Sequence, residues 1–474
     1  MKLRKSIEAM IGICALTGGC GMLSSCSQKP EYADEFRTAT RAFYLWRCGM
    51  PVEDNYNGNH YHHDACHLDD GYSAYMDMDS VKLDPKVREA YDMGHDGTGG
   101  WHDAGDYGKY TVNAGITVGS LFYAWNHFGD KINKIALDLP DTAPGYPEFL
   151  KEIKWETDFL LKMEYPDGTG RVAHKLTRVA FAPFIMPEED DGKRYYTVWS
   201  SAATADYAAM MAMSARYFAP YDKPYAQKCY EAANRSYNYL LGHPEDKRHI
   251  QGDFETGAYG TSDPDDRLWA AAEMWETTGN ERMLKDLEER IRNERDIVDN
   301  DWDWGNVANL GVYTYALSQR EGRDPELLAK VNAAIIADAD SLVARAARDE
   351  YGRAMQRFYW GCNGTAARQA INLHVADMIS PNPAYKETIK GIARYLLGNN
   401  VYGRSFVTGL GVNPPMHPHD RRSGADGIDD PWPGYLVGGG HSATDWVDDQ
   451  EDYSRNEIAI NWQAGLVYLL AATL

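Results

Sequence analysis

The sequence is poor in positive charge: 48 Lys and Arg against 70 Asp and Glu leave a formal net charge of -22 at pH 7. Phosphates would be repelled rather than neutralised, which excludes nucleic acid and anionic membrane surfaces as partners but leaves a neutral polymer open. Cysteine is scarce as well. Of the seven, Cys14, Cys20 and Cys26 lie near the N-terminus, and Cys48, Cys66, Cys229 and Cys362 are too few and too dispersed for a disulfide scaffold. From residue 33 to 474 there is no Ser/Thr/Pro linker, no low-complexity segment and no break in composition, so one large domain is expected. No Gly-rich or Arg-rich stretch supplies a phosphate site. Among the aromatics Phe is sparse, with 12 against 32 Tyr and 13 Trp. Tyr and Trp offer a flat apolar face with a polar handle, which suits sugar-binding clefts and helical cores alike.

Long apolar runs are also missing. The stretch Ile11 to Leu16, preceded by Lys2, Arg4 and Lys5 and interrupted upstream by Glu8, is too short to span a bilayer well and reads as an export signal. Leu23-Ser24-Ser25-Cys26 resembles a bacterial lipoprotein box. The expectation is therefore a signal segment at 1–26, lipidation at Cys26, and an exported protein whose membrane contact is only through that anchor. A plain secretory signal is the alternative.

What the chain does have is helical periodicity. Apolar residues recur at three and four spacing in Tyr32 to Trp46, Ala114 to Phe128, Phe149 to Lys162, Ala202 to Phe218, Tyr225 to Leu241, Asp266 to Thr278 and Val307 to Ser318. Pro325 to Ala347, Thr365 to Met378, Tyr385 to Leu397 and Asn456 to Ala472 continue the series, while strand-like alternation is scarce. About eleven helices joined by long loops predict an all-α barrel or toroid of helical hairpins. The loops hold most of the Trp, His and paired acids, and loops of such length in a compact domain are usually functional.

Three loop segments carry the chemistry. In Gly99-Gly100-Trp101-His102-Asp103-Ala104-Gly105-Asp106-Tyr107-Gly108, two aspartates three apart sit among glycines and rings, an arrangement that activates water beside a sugar but also forms turns and calcium loops. Ser405 to Arg421 combines glycines, prolines, His417, His419 and Arg421. Trp446 to Glu457 packs five acids ahead of an apolar helix, with Glu457 expected in that helix's first turn. N-capping and dipole complementation are the plain alternative for the last segment.

Together these segments resemble the signatures of glycoside hydrolase family 9, the inverting β-1,4-glucanases often called cellulases. Further family-like stretches are Arg47-Cys48-Gly49-Met50, Met186 to Asp190, Ser200 to Asp206, Thr256-Gly257-Ala258-Tyr259-Gly260, Tyr359-Trp360-Gly361 and Tyr395 to Gly398. The resemblance covers nearly all of residues 27–474 and implies a catalytic domain with an (α/α)6 barrel fold and a cleft across one end. It makes Asp106 the general base, Asp103 a second holder of the same water, and Glu457 the general acid. One carboxylate protonates the leaving oxygen while the other deprotonates water on the opposite face, roughly 6.5 to 9.5 Å away. Repulsion from Asp448, Glu451 and Asp452 is expected to keep Glu457 protonated.

By the same resemblance His419 and Arg421 bind sugar hydroxyls, and Asp448 and Tyr453, on motif positions beside the acid, are expected to bind substrate as well. Trp360, Trp302 and Trp304 are candidate sugar platforms or core residues. Asp420 replaces a usual histidine and Gln463 a usual asparagine. Cys48, Cys66, His67 and His102 form a set suited to tetrahedral zinc, as in some family members; without the resemblance they read as buried thiols or a disulfide, with His95 competing for the fourth place. Calcium is also implied, with Asp265, Asp266 and Asp303 as oxygen ligands. The substrate class implied is β-1,4-glucan, with soluble glucans or oligosaccharides expected, since no appended carbohydrate-binding module or immunoglobulin-like domain is read. An exo-acting glucosidase or glucosaminidase on the same fold and an inert glycan-binding lipoprotein are the competing readings. The second predicts a missing acid or base, and both are present.

Overall fold

The computed structural model describes residues 30–71 and 95–474. The expected signal and lipidation segment, Cys26 included, lies outside the described residues. Twelve helices of ten or more residues occur among the described residues. In chain order they are α1 (Ala33–Leu45), α2 (Thr111–Ile132), α3 (Glu148–Leu160), α4 (Ser201–Phe218), α5 (Lys223–Gly242), α6 (Pro264–Thr278), α7 (Glu281–Asn293), α8 (Ala308–Leu317), α9 (Pro325–Ala346), α10 (Cys362–Ile379), α11 (Pro383–Leu396) and α12 (Ile460–Ala471).

Six of them close a ring: α2 packs on α4, α4 on α6, α6 on α8, α8 on α10, α10 on α12, and α12 back on α2. The other six lie outside it, for example α5 against α4, α7 against α6 and α11 against α10. This is the (α/α)6 barrel, and the sequence distinguishes its two layers. Ring helices are surrounded by protein, so they carry no polar stripe; every residue of α12 is buried. Outer helices are amphipathic. In α7 only Met283, Leu284, Leu287, Glu288 and Ile291 are buried, at helical spacing along a highly charged segment. The ring is tight enough to require a glycine at 119, where an added Cβ would overlap Trp269 of α6 and Leu310 of α8.

Helix starts follow local chemistry. The Ser200 hydroxyl accepts the Ala203 N–H at 3.1 Å ahead of α4, and Asp222, Asp324 and Asn382 each accept a first-turn N–H while Pro occupies the first or second helical position. Strands are few and short. β1 (Val52–Glu53) pairs antiparallel with β2 (His62–His63), and β3 (Lys109–Tyr110), β4 (Lys175–Thr177) and β5 (Tyr195–Tyr196) form an antiparallel sheet in that order. That sheet leads directly from the paired-aspartate loop into α2, so the loop is anchored to the ring on its C-terminal side.

Candidate active site

Residues 100–108 form no regular element, yet the loop is fixed on both flanks. Trp101 bridges Arg47, with Cys48 N–H donating to Gly100 O at 2.8 Å and His102 N–H to Trp46 O at 2.9 Å. The Ala104 carbonyl accepts from the Trp46 indole at 3.0 Å and from Arg422 at 3.1 Å. On the other side Ala104 bridges Ala459, and Ile460 N–H donates to Asp103 O at 2.9 Å.

The two aspartates are held differently. Both carboxylate oxygens of buried Asp103 are engaged by protein donors: the Asn113 amide on Oδ1 at 2.7 Å and the Tyr259 hydroxyl on Oδ2 at 2.6 Å. Burial, and then the charge of Asp106, push its carboxyl up to about 8. Asp106 accepts from Gly108 N–H at 2.9 Å and the Tyr110 hydroxyl at 3.1 Å, both on Oδ2.

Glu457 does not sit in the first turn of a helix. A single helical turn, Tyr453–Asn456, ends there, and Glu457 to Ala459 are extended before α12 begins. Backbone bridges impose this: Glu457 pairs with His419, Ile458 with Val437 and Ala459 with Ala104. The Glu457 carboxyl is held well above the usual range, first by loss of hydration and then by the charges of Asp106 and Asp103. The neighbouring acids expected to do this are occupied elsewhere. Asp448 accepts the Met416 and His417 N–H groups at 2.9 Å and Arg404 at 2.6 Å; Asp452 accepts from Ser454 and Arg455 at 2.8 Å; and Glu451 is exposed.

Asp103, Asp106 and Glu457 line one cavity of about 480 Å³, together with Tyr110, Phe181, Tyr259, Asp303, Trp304, Trp360, Asn461 and Trp462. Trp360 and Tyr453 meet edge to face at 5.3 Å and are 46% and 53% exposed, so their faces are available at the rim. Trp304 lines the cavity against Tyr259, ring centroids 5.1 Å apart. Trp302 does not: it is fully buried and its indole donates to Asn372 at 2.9 Å.

His419 is fixed by Gln450 O at 2.7 Å, and burial pushes its imidazole below the ordinary value. Arg421 is buried, and two of its nitrogens donate to Ala182 O and Gly105 O at 2.7 Å. It therefore fastens the 181–184 segment to the paired-aspartate loop. Asp448, expected on the substrate, is likewise a fastener, because its oxygens hold the 416–417 backbone and Asn456. Asp420 is fully buried and pairs with Arg422 at 2.7 Å while capping the turn Arg421–Ala425, so its carboxylate is spent on protein donors. Gln463 is an internal stitch, donating to Ala39 O and Gly434 O at 2.7 Å.

Behind the loop, Cys48, Cys66, His67 and His102 converge, all buried, with their ligand atoms within 4.8 Å of one another. Both thiols are free. His67 Nδ1 lies 3.2 Å from His102 Nε2, and the far nitrogen of His67 meets Asp190 at 3.1 Å. A carboxylate behind an imidazole is the support a metal-ligating histidine usually has. Two buried thiols and two imidazoles, with Lys109 Nζ 3.8 Å from Cys48 Sγ, are a donor set that fits a closed tetrahedral ion. His95 is not in the set; its imidazole meets Lys162 O at 2.7 Å.

The expected calcium ligands do not assemble into a comparable site among the described residues. Asp265 accepts the Val307 N–H at 2.7 Å. Asp266 is buried beside Asp206, and both carboxyls are pushed up by burial, so the pair retains a proton. Asp303 faces the cavity and accepts from Asn461 at 2.9 Å. The sequence reading also missed the residues that hold the aspartates. Tyr110 and Asn113 gave no signal beyond their proximity to the motif, and Tyr259 stood in a family-like stretch without a role.

A family model described as Glycosyl hydrolase family 9 matches residues 32–470. Endoglucanase D of Acetivibrio thermocellus is 52% identical over 443 residues, covering 93% of this chain and 69% of the relative. The xyloglucan-specific endo-beta-1,4-glucanase BoGH9A of Bacteroides ovatus is 32% identical, covering 92% of this chain and 77% of its own. A crystal structure titled as a Zn-binding triple mutant of the GH family 9 endoglucanase J30 superimposes with a TM-score of 0.86 at 33% identity, covering 94% of this chain and 85% of that one.

Proposed function

Because the chain belongs to glycosyl hydrolase family 9 and is an endo-β-1,4-glucanase, we propose that it cleaves its glucan by single-displacement inversion, with Asp106 as general base and Glu457 as general acid. One observation carries the division of labour. Asp103 has both oxygens engaged by Asn113 and Tyr259, whereas the hydrogen bonds to Asp106 fall on Oδ2, leaving Oδ1 to receive a proton from water. Glu457, on the facing extended segment, carries the proton that the leaving oxygen needs, because burial first, and then Asp106 and Asp103, disfavour its charge. Asp103, its oxygens fixed by Asn113 and Tyr259, stands beside Asp106 as a rigid wall for the same water. Trp360, Tyr453 and Trp304 offer ring faces to sugars, and His419 presents its imidazole edge beside the acid.

Product stereochemistry tests this. Following a cello-oligosaccharide digest by proton NMR, the α-anomer should appear first and then mutarotate; initial β-anomer would reject inversion. Asp106→Asn and Glu457→Gln should each lower kcat by at least about 10³-fold.

Cys48, Cys66, His67 and His102 would hold a zinc ion that supplies a structural cross-link and no catalytic step. These residues would tie the 46–48 segment, the 66–67 segment and the paired-aspartate loop into one rigid unit behind the base. The protein is further proposed to be exported and anchored through lipidated Cys26, acting on soluble β-1,4-glucans outside the cytoplasm. Loss of membrane partitioning in Cys26→Ala is the expected result; unchanged partitioning would reject the anchor.

A further inference from the structure

Lys175 is fully buried in β4, and among the described residues no acid forms an ion pair with it. A buried ammonium without a carboxylate partner is unusual, because desolvation penalises its charge heavily. Its neighbours explain why it is retained. In the β3–β4 register Lys175 stands directly opposite Tyr110, and Nζ lies 5.8 Å from the centroid of that ring and 4.8 Å from that of Phe254. Nζ donates to Gly257 O at 2.7 Å, to Gln251 Oε1 at 2.9 Å and to Thr256 O at 3.3 Å.

The last contact matters most. The Thr256 carbonyl belongs to the peptide whose other end is the Gly257 N–H, and that N–H donates to the Tyr110 hydroxyl at 3.1 Å. Tyr110 in turn donates to Asp106 Oδ2 at 3.1 Å. A cation at one end therefore polarises three hydrogen bonds in series, each strengthening the next, and they end on the catalytic carboxylate. Gln251 reinforces the same carbonyl, donating at 2.6 Å.

We propose that Lys175 is a positioning residue for hydrolysis: from behind the cavity wall it orients and polarises the Thr256–Gly257 peptide and the Tyr110 hydroxyl, and it places a positive charge behind Asp106. The assignment rests on the reading of Asp106 as base.

The surroundings are compatible with an assay by pH. The groups facing Lys175 are Tyr110, His174, His249 and, beyond the phenol, Asp106. His174 and His249 stack at 3.9 Å; burial pushes His249 down to about 4 and His174 well below its usual value, so both are neutral over the working range. Burial pushes Lys175 down to about 7 against the opposing pull of the Asp106 charge, so it is charged where the acid limb of activity is read. The groups facing Asp106 are Asp103, Glu457, Tyr110, His419 and Lys175.

The test is the pH dependence of kcat/KM on a soluble glucan for the wild type, Lys175→Met, Lys175→Arg, Tyr110→Phe and Asp106→Asn, with folding checked by circular dichroism. Lys175→Met should move the acid limb to higher pH by about one unit, and lower kcat about tenfold at pH 5 with KM within about twofold. Lys175→Arg should restore the limb. The double variant Lys175→Met/Tyr110→Phe should shift it no further than the larger single change, because both act along one route. An unmoved limb in folded Lys175→Met, or Lys175→Arg behaving like Lys175→Met, overturns the proposal. Should Lys175→Met not fold, Lys175→Arg and Tyr110→Phe decide: a wild-type limb in Tyr110→Phe rejects the route. Substantial activity in Asp106→Asn would instead reject the base assignment itself, which separates the two failures.

Discussion

Ala104 and Ala459, 355 positions apart in the chain, face each other as an antiparallel bridge, and that contact sets Asp106 against Glu457. Each catalytic candidate is two residues from the bridge, one following Ala104 and one preceding Ala459. Their separation is therefore defined by backbone hydrogen bonding rather than by two flexible side chains, which is the preorganisation that positioned acid–base chemistry requires.

Gly105 lies inside this arrangement. An added Cβ would overlap the carbonyl oxygen of His419, whose own N–H donates to Asn456 O at 2.8 Å. Gly105→Ala should therefore push the base loop away from the acid segment and lower kcat by about 10²-fold. Thermal unfolding should fall only slightly, because the barrel core is untouched. Wild-type kcat in a folded Gly105→Ala protein would show that this spacing is not critical.

Glu457 makes stability depend on pH in a definite direction. Its folded-state carboxyl is held well above the ordinary value by burial and by Asp106 and Asp103, so the folded protein keeps a proton there that the unfolded chain releases above about pH 4.5. Between that pH and the raised folded value, stability falls as pH rises. Glu457→Gln removes the liability and should stabilise the protein at pH 7 by on the order of 1–3 kcal/mol, with the gain vanishing below about pH 4.5. Urea unfolding of both proteins across pH 4 to 8 measures it, and a gain that grew toward acid pH would contradict the sign.

Removal of a metal from Cys48, Cys66, His67 and His102 should destabilise the whole protein. Dialysis against a strong chelator is expected to lower Tm by about 5 °C or more and to reduce kcat, with zinc restoring both. Elemental analysis of protein purified without chelator should give one zinc per chain. A zinc-free preparation with full activity would refute the metal reading.

Trp360 is half exposed at the cavity rim and meets Tyr453 edge to face. Trp360→Ala should raise KM for cello-oligosaccharides about tenfold, from loss of roughly 1.5–3 kcal/mol of apolar contact, while leaving Tm nearly unchanged. Trp302→Ala should do the reverse: its ring is fully buried, so it should cost stability by about 3–5 kcal/mol.

Eleven of the twelve barrel helices were legible from periodicity. The one missed, α7, had the signal in Met283, Leu284, Leu287 and Ile291, but nine charged or polar neighbours in Glu281–Asn293 obscured it. The extended Glu457–Ala459 break was not legible, since Asn456 to Ala472 reads as continuous helix until Ala104, His419 and Val437 are brought alongside it. Asp448 and Arg421 matched binding motifs, yet the fold commits their polar atoms to backbone groups.

The sequence by itself determined the helical hairpins, the family motifs and the identity of the groups able to carry acid, base and metal chemistry, because periodicity and residue type are local properties. Only the tertiary structure decided which of those groups face the cavity and which hold its walls together. A carboxylate's role depends on its hydration and on its hydrogen-bond donors, and here distant segments supply or fix them: Tyr259 for Asp103, Arg404 for Asp448, and Gly257, which holds the Tyr110 hydroxyl that donates to Asp106. The same dependence explains Lys175, an unremarkable strand residue until the fold places it behind the base.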